Sequence, residues 1–101
     1  MPVTICVRDT ALKIPAADAR ELVEELHAYA AGYRGDYAYP AAARELADAI
    51  EDRIAKRVRG SLILDDDQAL DALHTALNAI VAEIGPAMKL YNAVDMARRA
   101  A

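Results

Sequence analysis

The stretch VTICVRDTALKI, Val3 to Ile14, alternates with the period of a β-strand. Val3, Ile5 and Val7 point to one side, while Thr4, Cys6 and Arg8 point to the other. Leu12 and Ile14 resume the apolar side after Asp9 and Thr10, with Lys13 opposite. This predicts a β-hairpin at the start of a chain that otherwise reads as helix. Its turn lacks the Asn-Gly or Asp-Gly pair that marks the tightest hairpins. Two strands alone are marginal in water, so a third strand and a helical cover are required.

Working outward from Ile14, Pro15 closes the second strand and opens a helix over about 16–31. Leu22, Val23, Leu26, Tyr29, Ala30 and Tyr33 form its apolar stripe, with Arg20, Glu21, Glu24, Glu25 and His27 off it. Gly32 is placed as a left-handed residue just past the helix end. A second helix is expected to begin at Pro40 and run to about Arg59, with Ala43, Leu46, Ala47, Ile50, Ile54 and Val58 facing inward. Asp52 and Lys56 are spaced to pair across one turn.

After Gly60, the run SLIL (Ser61 to Leu64) supplies the third strand. Three aspartates, Asp65 to Asp67, then open a third helix striped with Leu70, Leu73, Leu77, Ile80, Val81 and Ile84. Gly85-Pro86 stops it. A fourth helix over about 87–99 carries Leu90, Tyr91, Val94 and Ala97 on one side, with Met88 and Met96 adjusting the fit.

The expected fold class is α+β in the order β-β-α-α-β-α-α. A small antiparallel sheet, made of the N-terminal hairpin plus one short central strand, packs against about four helices. Residues 1–101 form a single domain, since no linker or low-complexity segment interrupts them. Much of the apolar content is Ala, which favours helices but buries little area. Self-association is a natural way to supply more burial.

Composition removes several function classes. The net charge of −4 argues against a dedicated nucleic-acid binder. Cys6 is the sole cysteine, so there is no internal disulfide and no thiolate metal cluster. The first residues carry neither a basic n-region nor an apolar h-region, and no apolar run reaches the roughly 18 residues of a membrane span. A soluble, cytoplasmic protein with no membrane association is expected.

The candidate chemistry is sparse. Arg53, Lys56, Arg57 and Arg59 could contact phosphates, with Arg98 and Arg99. The helix dipole explains the same run, because it favours cations at a C-terminus just as it favours Asp65 to Asp67 at an N-terminus. Asp67, Asp71, His74 and Asn78 follow one line along the third helix. Carboxylates beside an imidazole could hold a divalent metal or pair an acid with a base. The spacing of known metallohydrolase motifs is absent, and an Asp71–His74 pair on a solvated helix edge accounts for the line. No glycine-rich phosphate loop or nucleophile elbow is present, so neither a catalytic constellation nor a cofactor is expected.

Four of the five tyrosines fall between Tyr29 and Tyr39, around Arg34-Gly35-Asp36. The tripeptide reads as turn chemistry. Tyr29 and Tyr33 belong to the first helix stripe. Tyr37 and Tyr39, flanking Ala38 in extended chain, face opposite ways and cannot both bury against one surface. Arg34, Tyr37, Tyr39 and, on the last helix, Tyr91 are therefore the expected partner contacts. The reading is a small cytoplasmic, non-enzymatic protein–protein interaction or regulatory module whose partner is another copy or another protein. Its alternative is a nucleic-acid-binding regulator, antitoxin-like or of the phage-repressor type, using the basic end of the second helix.

Overall fold

The structure is a computed structural model that describes residues 2–32, 38–56, 60–80 and 85–100. The elements are β1 (Val3–Val7), β2 (Thr10–Ile14), α1 (Ala16–Ala31), α2 (Ala38–Lys56), β3 (Leu62–Leu64), α3 (Asp67–Ile80) and α4 (Gly85–Arg99). The α+β class and the element order are those read from the sequence. The sheet is not: its strand order is β2-β1-β3, with β1 antiparallel to β2 but parallel to β3. The sheet is therefore mixed, β1 is its central strand, and β3 lies at an edge.

The hairpin turns through Arg8 and Asp9, since Val7 pairs with Thr10. Arg8 takes φ 53°, the positive φ that a two-residue hairpin loop demands at its first position. Register then sorts the side chains into two faces. Ile14 with Val3, Leu12 with Ile5 and Leu62, and Val7 with Leu64 form the inner rows. Lys13 with Thr4, and Ala11 with Cys6 and Ile63, form the outer rows.

The helices cover the inner face. Ala19, Leu22, Val23, Leu26 and Ala30 of α1, and Ala43, Leu46, Ala47 and Ile50 of α2, join Val3, Ile5 and Val7 in one core. From α3 come Leu70, Leu73, Ala76, Leu77 and Ile80, and from α4 Ala87, Leu90, Ala93, Val94 and Ala97. The alanines let helix axes approach closely. α3 packs against each of the other three helices. The apolar side of α4 is thus consumed within the chain.

Local chemistry sets the boundaries. Asp66 caps α3, its Oδ2 accepting from the Ala69 amide at 2.9 Å. α2 begins at Ala38, two residues before the expected start, so Tyr39 is helical and not extended. Pro40, fully buried, sits in that first turn, where an amide would have no intrahelical partner to lose. Gly32 ends α1 with φ −74°, in the right-handed region and not the left-handed one expected.

Gly60 does take the special conformation, with φ +117°. Its carbonyl accepts from Arg53 Nη1 at 2.8 Å, which fixes the entry to β3. Gly60→Ala should cost about 1–2 kcal/mol, because a Cβ strains this φ even though its nearest neighbour, Arg53 Nη1, is 3.6 Å away. Urea unfolding checks this as a lower midpoint with an unchanged slope.

Candidate self-association interface

The two edges of the sheet differ in chemistry. β2 carries Lys13 and runs into Pro15, both of which discourage a further strand. β3 is Leu-Ile-Leu, with no charge and no proline. Leu64 turns its carbonyl toward β1, where it accepts from the Arg8 amide at 3.1 Å. Strand alternation then aims the N–H and C=O of Ile63 at the open edge. The Ile63 side chain is 65% exposed on the outer face, beside Cys6.

Along that edge runs a groove of about 400 Å³, walled by α2 and α3. α2 contributes Ala42, Glu45, Leu46, Ala49, Asp52 and Arg53, and α3 contributes Ala69 and Leu73. On α2 these positions recur at helical spacing and form a second stripe, distinct from the core stripe except at Leu46. Small residues alternate with charged ones: Ala49 stands midway between Glu45 and Arg53. The bond from Arg53 to the Gly60 carbonyl uses one of the five N–H donors of the guanidinium.

The expected site residues are placed as follows. Asp67, Asp71 and His74 do follow one line on α3, but each is engaged by a different partner. Asp67 pairs with Arg8 from the hairpin turn. Asp71 Oδ1 accepts from Arg98 Nε at 2.6 Å. His74 Nε2 donates to Asp95 Oδ1 at 3.0 Å, and Asp95 Oδ2 also pairs with Arg99 Nε at 3.2 Å. The Asp71–His74 pair is replaced by these bonds across to α4, which align α4 on α3. Tyr91 stacks on His74 with ring centroids 4.9 Å apart, so part of its ring faces the chain's own seam.

Tyr39 is half-buried in the first turn of α2, and Tyr29 packs against the core. Arg34 and Tyr37, with Tyr33, Gly35 and Asp36, lie outside the described residues, as do Arg57 and Arg59. Of the basic run only Arg53 has a described side chain, and it is turned onto Gly60. Met88 and Met96 do not adjust the core fit; they are 46% and 70% exposed on the outer side of α4.

Two arrangements had no part in the sequence reading. One is the α2 stripe beside Ile63. The other joins α1 to α2, where His27 Nε2 lies 2.9 Å from Glu51 Oε1 and 3.6 Å from Asp48 Oδ1. Among the described residues these three are a group able to converge on a metal ion. The spacing of Asp48 and Glu51, three apart on one helix, was the available signal.

Comparison with known proteins finds no matching family model, no matching curated protein and no matching solved structure. Among the described residues no helix is long and apolar enough to cross a membrane.

Proposed function

We propose that this chain is a small cytoplasmic, non-enzymatic interaction or regulatory module that works as a homodimer, paired through β3 and the groove-facing stripe of α2. The observation that carries the reading is the β3 edge, which among the described residues carries no charge or proline and where Ile63 is 65% exposed beside a groove. An unblocked apolar edge strand invites another strand, and the strand with matching chemistry is a second β3.

A twofold axis at Ile63 makes the pairing self-complementary. The outward amide and carbonyl of Ile63 bond to those of the second copy, and the two sheets become one. The outer row Ala11, Cys6, Ile63 continues into its symmetry mate, so the isoleucines form a cross-strand pair. The same symmetry runs the two α2 helices antiparallel. Alanines at Ala42 and Ala49 permit close approach, and Glu45 meets the partner's Arg53. Opposite charges on one stripe fit an antiparallel copy of itself.

Ala49→Glu tests this reading. It adds a charge at the centre of the α2 contact; because Ala49 is partly buried against the core, circular dichroism verifies that the variant keeps the fold. Sedimentation equilibrium should give a concentration-dependent dimer for the natural chain and a monomer for Ala49→Glu. A natural chain that stays monomeric at every concentration would sink the proposal.

A further inference from the structure

We propose that His27, Asp48 and Glu51 form a surface site for a divalent transition-metal ion of the zinc class. The site bridges α1 and α2 and is separate from the β3 edge.

Asp48 and Glu51 lie three apart, so both carboxylates leave α2 on one side. His27 reaches them from α1 with Nε2 foremost. The three donor atoms lie within 4.8 Å of one another, and the two separations from His27 Nε2 are 2.9 and 3.6 Å. Donors around a tetrahedral ion with bonds of about 2.0–2.1 Å stand roughly 3.3 Å apart, between those two values. An ion can therefore meet all three with small rotamer changes.

The competing arrangement is a plain ion pair. A proton on Nε2 lies along one direction, toward Glu51 at 2.9 Å, and leaves Asp48 at 3.6 Å without a hydrogen bond from it. It also leaves two anionic groups close together. One doubly charged ion satisfies the nitrogen and both carboxylates at once and cancels the carboxylate charge. The donor set of one imidazole and two carboxylates selects against calcium and magnesium, which prefer oxygen alone. Exposures of 39%, 72% and 55% for the side chains of His27, Asp48 and Glu51 give the ion a direct path in and room for water on its remaining position.

Glu51 also borders a groove of about 340 Å³ between α1 and α2, lined with Arg20, Val23, Glu24, Ile54 and Ala55. A bound ion would stand at the rim of that groove.

The test is calorimetric titration of the whole protein with zinc chloride. One ion per chain should bind at this site. His27→Ala, and separately Asp48→Asn with Glu51→Gln, should each weaken binding roughly tenfold or more, the scale on which even outer partners of metal ligands act. Cys6→Ser and His74→Ala should bind as the natural chain does. All the altered ligands are partly or largely exposed, and circular dichroism verifies that the variants keep the fold. The proposal is overturned if the natural chain takes up no zinc below roughly 1 mM, the weak end of specific affinity. It is equally overturned if His27→Ala binds like the natural chain, or if only Cys6→Ser or His74→Ala loses the ion. The Ala49→Glu result bears on none of these outcomes.

Discussion

Leu77→Ala should lower the stability of the protein by about 2–5 kcal/mol, the largest change expected from any single truncation considered. Leu77 is fully buried on α3, which packs against α1, α2 and α4. A void there is bordered by several helices at once, and none can close it without leaving its other contacts. For a domain near 100 residues each kcal/mol shifts Tm by roughly 4–8 °C, so calorimetry reads the loss directly. A drop below about 1 kcal/mol would mean that the α3 interior is packed more loosely than described.

Ile63→Lys should leave the monomer nearly intact and remove the dimer. At 65% exposure the side chain contributes little to the core, and surface changes of this kind usually stay within about 0.5 kcal/mol. In the proposed dimer, however, the residue sits on the twofold axis. The change replaces a pair of isoleucines with two like charges facing each other, which is how natural edge strands are kept apart. Loss of about 2 kcal/mol, the scale of a central interface residue, raises the dimer Kd roughly 30-fold. Unfolding and association can thus be read on the same variant, and below the dimer Kd, where mass action adds no stability, the unfolding free energies of the two chains should agree.

Much of the fold was legible because periodicity is a strong signal where a face is buried. Val3, Ile5 and Val7 gave strand β1, and Leu70, Leu73, Leu77 and Ile80 gave α3, because each set has a single buried side. The direction of β3 was not legible. Leu62 to Leu64 is too short for its own pattern to define an orientation, and α2 delivers the chain to that edge. Gly32 misled because glycine permits a left-handed conformation without requiring one. The methionines misled by residue type: Met88 lies two before Leu90 and Met96 two after Val94, roughly opposite the buried stripe on a helix.

The candidate interface was legible only in fragments. Ile63 alternates with Leu62 and Leu64, but an exposed side chain could not be named without knowing that β3 is an edge. Glu45 and Ala49 looked like ordinary solvent-facing positions, and Arg53 like part of a basic run, because their significance here depends on standing beside that edge. Asp67, Asp71 and His74 were correctly aligned on α3. Their partners Arg8, Arg98 and Asp95 come from elements remote in sequence, and no local spacing reports such bonds.

The central claim is a dimer paired through β3, and the molar mass of the natural chain beside Ile63→Lys tests it most directly. Multi-angle light scattering at micromolar concentration should give twice the 10.9 kDa chain mass for the natural protein and one chain mass for Ile63→Lys. A natural chain that remains at 10.9 kDa, or an Ile63→Lys variant that keeps the doubled mass, would contradict the account.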